Sequence, residues 1–177
     1  MPATSAVDWI DASVTEVRSA AGEDIMRRKY VMILAERDGD RQLPIWIGPA
    51  EATALALSLE SAEVPRPFTY KLAAGLVAAA GSAISEVRIT RLLAPVFYAS
   101  VIVQSPGGPQ EVDARPSDAV NLALVTGAPI RIDSELFNLT TPAECAEELS
   151  SLPVATAEIA AEAQQRMREF AHPTPGA

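Results

Sequence analysis

One cysteine and one histidine are all that this 177-residue chain carries of the two residues most used for nucleophilic and proton-transfer chemistry. Cys145 alone cannot form an intramolecular disulfide, so a reducing compartment is the simpler reading. Without a histidine partner it reads as a small packed side chain. His172 falls in a proline-containing tail that is expected to fray. No Ser-His-Asp or Cys-His arrangement is therefore available. A glycine-rich phosphate loop and a Cys-x-x-Cys zinc pair are missing as well. The N-terminus has no basic segment leading into an apolar run, and no stretch approaches the length needed to span a bilayer. The expectation is a soluble, cytoplasmic protein without a secretory signal and without membrane contact.

Positive charge is also scarce. The formal net charge is −9, with 16 acids against 12 bases in residues 1–133 and 7 against 2 in residues 134–177. More than half of the excess thus sits in the last quarter. Such a surface argues against a nonspecific nucleic-acid coat and leaves room only for a local basic cleft. The length suits one ordinary core plus an appendage.

What the chain does have is a repeat. Pro49-Ala-Glu-Ala-Thr-Ala-Leu-Ala-Leu and Pro116-Ser-Asp-Ala-Val-Asn-Leu-Ala-Leu share proline, acid, alanine and a Leu-Ala-Leu tail at the same offsets. Each follows a strand-like run. Residues 7–18 alternate loosely, and Tyr30 to Ala35 is apolar on both faces, as in a buried strand. Arg37-Asp38-Gly39-Asp40 predicts a hairpin turn in which Asp-Gly takes the positive φ of a tight turn. Leu43 to Ile47 returns into Gly48-Pro49, where proline at the first helical position starts a helix with Ala52, Leu55, Ala56 and Leu59 inward. Arg66-Pro67 predicts the start of a second helix with Leu72, Leu76, Ala79 and Ala80 inward and Gly81 as its stop. Strands follow at Ile84 to Leu92, Val96 to Gln104 and Gln110 to Ala114, then a helix from Arg115-Pro116 to Gly127 and a closing strand from Pro129 to Asp133. This hairpin-then-helix pattern, stated twice, predicts an α+β domain with a mixed or mainly antiparallel sheet over residues 1–137. Residues 138–177 read as an acidic extension in which Ala155 to Phe170 forms an amphipathic helix.

Chemistry concentrates at the helix starts. A helix N-terminus carries free amide hydrogens and partial positive charge, and arginine beside it offers a planar fork suited to phosphate. Arg66 and Arg115 would then clamp phosphate, with Thr69, Lys71 and Ser117 as further contacts. The plainer alternative pairs the two arginines with nearby carboxylates such as Glu63 and Asp113. Glu51 and Asp118 are each the third residue of a helix, where the dipole favours an acid; brought together, they could also hold a divalent cation such as Mg²⁺ or Mn²⁺, or orient water. Trp46 could stack on a base, or pack at the domain's edge or in a subunit contact.

Leu43-Pro-Ile-Trp-Ile-Gly-Pro-Ala-Glu-Ala52, Arg66-Pro-Phe-Thr69, Asp113-Ala-Arg-Pro-Ser-Asp-Ala119 and Thr126-Gly-Ala-Pro-Ile130 together resemble the signature of the bifunctional nuclease domain family, across residues 8–137. The resemblance implies a compact α+β domain, often a homo-oligomer, associated with cleavage of DNA and RNA; in the nuclease reading Arg66 and Arg115 clamp phosphate while Glu51 and Asp118 support a metal or water. One departure stands out. Where the family continues Arg-Pro-x-Thr-His-Asp-Leu, this chain has Tyr70 and Lys71. The commonest general base near neutral pH is gone. Three readings remain open: a nuclease working without that histidine, a non-catalytic module that binds nucleic acid or nucleotide, or Arg-Pro starts that serve only folding and subunit assembly.

Overall fold

The computed structural model describes residues 7–20, 28–139, 149 and 151–171, so Cys145 and His172 lie outside the described residues. Strand β1 (Trp9–Ser19) is followed by the β2 (Tyr30–Glu36) and β3 (Gln42–Ile47) hairpin and helix α1 (Pro49–Leu59). After α2 (Thr69–Ala79) the plan repeats: β4 (Ala83–Leu93), β5 (Val96–Ser105), β6 (Gly108–Ala114) and α3 (Pro116–Thr126). The chain continues through β7 (Ile130–Asp133), α4 (Ser134–Leu139) and a C-terminal helix, α5 (Thr156–Ala171). The seven strands form one sheet in the order β3-β2-β1-β7-β4-β5-β6. Every pair is antiparallel except β4 with β7. The fold is therefore α+β with a mixed, mainly antiparallel sheet. Two three-strand meanders, each ending in a helix, flank β7 with opposite sense.

Local chemistry accounts for most boundaries. Pro49 and Pro116 occupy the first turns of α1 and α3, where a missing N–H costs nothing. Gly127 ends α3 in the left-handed region at φ 74°, its N–H bonded to the Ala123 carbonyl at 2.8 Å. Tyr30 to Leu34 is buried throughout, because β2 lies between β1 and β3 and is covered on both faces. On one face of the sheet the core gathers Val17, Leu34, Leu43, Val87, Ile89 and Ile132 with Leu55 of α1 and Val120 of α3. No described helix is long and apolar enough to cross a membrane.

Three local expectations need correction. The turn after β2 forms where predicted, but Gly39 is not among the positive-φ glycines. A Cβ there would meet the carboxylate of Glu36, which takes two hydrogen bonds from Arg41 at 2.8 Å each. Helix α2 starts at Thr69, with Phe68 as its cap, so Arg66-Pro67 precedes the helix rather than opening it. And α2 buries none of its residues: Leu72 and Leu76 are exposed, not inward.

The C-terminal helix packs on the domain. Ile159 is fully buried in the core, with Ala160 and Ala163 beside it and Met167 against it. Val17 donates its N–H to the Thr156 hydroxyl at 2.9 Å and accepts from the Ala155 N–H at 2.9 Å, which ties the start of the helix to β1. Arg28 pairs with Glu158 at 2.7 Å.

The sheet cannot be flat. At the usual spacing of about 4.8 Å between strands, seven strands side by side would hold β3 and β6 about 29 Å apart. Yet Glu51, just beyond β3, and Arg115, just beyond β6, are in contact at 2.7 Å. The sheet therefore curls until its two margins meet, and the starts of α1 and α3 sit at that seam.

Candidate active site at the seam of the sheet

Arg115 is the residue that leaves β6 and caps α3, with an extended backbone (φ −71°, ψ 146°). One helical turn on, Asp118 faces it. The guanidinium lays its Nε edge on that carboxylate: Nε donates to Oδ2 at 2.7 Å and Nη2 to Oδ1 at 3.0 Å. This is the bidentate geometry for which arginine is suited. Nη2 also lies 2.7 Å from Glu51 Oε1, so one cation bridges the acids of both repeats. The two Nη1 hydrogens have no protein partner among the described residues, and the side chain is 66% exposed. Arg115 can thus be held by carboxylates on one edge while presenting the other to a ligand.

The opposite side of Asp118 is taken by α2. The Tyr70 hydroxyl donates to Asp118 Oδ1 at 2.8 Å. Burial, this hydrogen bond and the charges of Asp118 and Glu51 push the Tyr70 phenol well above its ordinary range. It keeps its proton and acts as a donor. Burial also pushes the Asp118 carboxyl upward, but hydrogen bonds from Arg115 and Tyr70 and the arginine charge outweigh it and leave the group below its ordinary value. The Arg115 guanidinium is pushed further up by Asp118 and Glu51 and is never neutral.

The repeat-equivalent acids are therefore not equivalent in situation. Asp118 accepts three hydrogen bonds, two at Oδ1 and one at Oδ2. Glu51 meets Arg115 at Oε1, and its Oε2 makes no hydrogen bond among the described residues. Oε2 folds back over Gly48, where a Cβ would stand only 2.4 Å away. Both acids belong to the first turns of helices, as the spacing predicted.

Among the predicted site residues, Glu51, Arg115 and Asp118 come together. Ser117 is buried beside Arg115, and both line a cavity of about 420 Å³. Arg66 is exposed and makes no hydrogen bond or ion pair among the described residues, so it does not join the network. Thr69 opens α2 and is exposed. Lys71 is exposed on the far side of Tyr70, at a cavity of about 340 Å³ that it shares with Phe68. The pairing of Arg115 with Asp113 is replaced by Glu51 and Asp118.

Sequence reasoning missed Asn121. It takes the place that Ala54 holds in the first copy of the repeat, and this polar-for-apolar difference was the available signal. Fully buried, it donates from Nδ2 to the carbonyls of Ser117 at 2.9 Å and Glu51 at 3.3 Å, joining α3 to α1 directly under the acids. Its Oδ1 has no partner among the described residues.

Metal binding is poorly served by this donor set. The guanidinium already occupies the position between the two carboxylates that a cation would take. Among the described residues no group of three or more His, Cys, Asp or Glu side chains assembles.

The sequence model of the bifunctional nuclease domain matches residues 32–143, which include the whole network. An uncharacterized protein of Mycobacterium tuberculosis is 40% identical over 143 residues, covering 79% of this chain and 82% of that protein. Bifunctional nuclease 1 of Oryza sativa subsp. japonica is 28% identical over 111 residues, 60% of this chain and 34% of the rice protein. Bifunctional nuclease 1 of Arabidopsis thaliana is 27% identical over 109 residues, with 59% and 34% covered.

Proposed function

This chain belongs to the bifunctional nuclease domain family, and from that premise we propose that it hydrolyses phosphodiester bonds of DNA or RNA at the seam of the sheet. The observation that carries the reading is the single guanidinium held by two carboxylates with its Nη1 edge free. In this reading Arg115 binds the phosphate and meets the charge that grows on its nonbridging oxygens. Asp118, which accepts hydrogen bonds from Arg115 and Tyr70, positions the arginine in this reading. Glu51 Oε2 orients a water and accepts its proton as the water oxygen attacks phosphorus. The bond from phosphorus to the leaving ribose oxygen breaks, and that oxygen takes a proton from solvent. No metal enters these steps.

The test is cleavage of labelled single-stranded DNA and RNA in EDTA and in Mg²⁺, beside Glu51→Gln and Arg115→Ala. Cleavage that persists in EDTA and disappears in both variants is expected. Cleavage that EDTA abolishes would remove the role given to Glu51, and cleavage untouched by Arg115→Ala would remove the site.

One observation favours a second reading, binding without turnover. Tyr70 stands where the resemblance implies histidine, and its environment locks its proton in place. If so, oligonucleotides raise the melting temperature by mass action and are recovered intact.

A further inference from the structure

A cavity of about 420 Å³ opens beside Arg115, and the proposed chemistry above does not use it. Trp46 lines it from β3, Val96 and Phe97 from the start of β5, and Pro95 from the turn between β4 and β5; Arg115 and Ser117 line it beside the seam. Trp46 lies on an edge strand whose alternate residues Leu43 and Ile45 are buried, and it is itself 49% exposed. A large aromatic face is thus left open within one cavity that also holds an arginine with free N–H groups. The Ser117 hydroxyl, at the same cavity, makes no hydrogen bond among the described residues.

We propose that this cavity is a nucleobase subsite: an unpaired base stacks on Trp46 while its phosphate lies on the Nη1 edge of Arg115. The inference rests on the phosphodiester reading and adds the substrate class, single-stranded nucleic acid. Two physical points select it. A net charge of −9 denies the chain the many phosphate contacts on which duplex binding depends, so affinity has to come from somewhere other than charge. Aromatic stacking supplies it, and every base has a π-face to offer once it is free of a partner strand. In a duplex both faces of a base are already stacked, and reaching Trp46 would require extruding it. The free Ser117 hydroxyl is placed to meet a polar base edge or the phosphate.

Trp9→Phe makes Trp46 the only tryptophan and its fluorescence a direct probe of the cavity. This protein is titrated with an oligothymidylate, with an abasic oligomer of the same length, and with a duplex. Quenching by oligothymidylate, with much weaker binding of the abasic oligomer and the duplex, is expected. In the otherwise native chain, Trp46→Ala should weaken oligothymidylate binding about 5- to 150-fold, the worth of one stacked base, while Trp46→Phe retains part of it. With one phosphate contacted, log K should fall against log salt with a slope of only about −0.7. Equal affinity for the abasic oligomer, or unchanged binding by Trp46→Ala, overturns the base subsite. The phosphodiester reading survives that result if Arg115→Ala still loses both oligomers; if Arg115→Ala binds both normally, that reading falls and takes this inference with it. A lower sedimentation mass for Trp46→Ala without quenching by oligothymidylate also overturns it, and assigns Trp46 to a contact between copies.

Discussion

Replacing Arg115 by methionine removes one cation and strands two acids. The stem and its packing remain, so the loss reads out charge and hydrogen bonding. Taken from sequence alone, Arg115 looks like a ligand-facing residue whose removal costs activity and leaves the melting temperature nearly unchanged. The structure changes that expectation. The arginine is two-thirds exposed, and an exposed ion pair contributes only about 0.2–1 kcal/mol. Its partners are less exposed, Glu51 at 14% and Asp118 at 30%, and hydrogen bonds to charged groups contribute about 1.5–3 kcal/mol. Between these limits the loss is about 2 kcal/mol, which for a chain of this length lowers the melting temperature by about 4–8 °C. The loss also depends on pH. Burial raises the Asp118 carboxyl, but Arg115 and Tyr70 bring it below its ordinary value. A group with a lowered folded-state pKa contributes stability that is complete above its unfolded value, about 4, and is lost as pH falls through the folded value. The gap between native chain and variant should therefore be full at neutral pH and close in acid. Scanning calorimetry at both pH values decides the matter. A variant that melts with the native chain at neutral pH, or a gap that persists undiminished in acid, refutes the reasoning.

Other changes separate site from scaffold. Gly48→Ala places a Cβ against the carboxylate end of Glu51; cleavage should fall sharply while melting stays close to native, because a side chain and not the backbone gives way. Tyr70→Phe removes one donor from Asp118; a loss of about 1–2 kcal/mol in urea unfolding at neutral pH is expected, smaller in acid. Ile159→Ala opens a cavity beneath a fully buried residue of α5 and should cost about 2–5 kcal/mol by the same measure, with oligonucleotide binding at the seam retained below the melting transition. A loss well under 1 kcal/mol would mean that α5 is not part of the cooperative core.

Features set by near neighbours were legible in the sequence. Proline at a first helical position, glycine at a helix end and an apolar run bounded by turns all act within a few residues, and α1, α3, β2 and the hairpins appear where those signals stand. The start of α2 differs from the expectation because an Arg-Pro pair does not by itself commit the chain to a helix; here Phe68 is the extended cap and Thr69 the first helical residue. Leu72 and Leu76 were misplaced for a different reason: helical spacing shows that an apolar stripe exists, not that the chain folds anything over it. The site was half legible. The acid at the third position of each helix is a local signal. Its convergence on one arginine depends on a sheet curl that no window of sequence displays. Asp113 was the nearer acid in sequence, but the turn of α3 brings Asp118 to face Arg115 instead.

The seam has a consequence for when the protein is competent. Glu51 and Arg115 belong to opposite margins of the sheet, and Asn121 ties to Glu51 across 70 positions of chain. Contacts so distant in sequence form late, after the intervening loop entropy has been overcome. A nascent chain still short of β6, or a proteolytic fragment lacking either margin, contains half of the groups and no site. Whatever chemistry the network performs is thus switched on by completion of the fold and off by its first opening, with no inhibitor required.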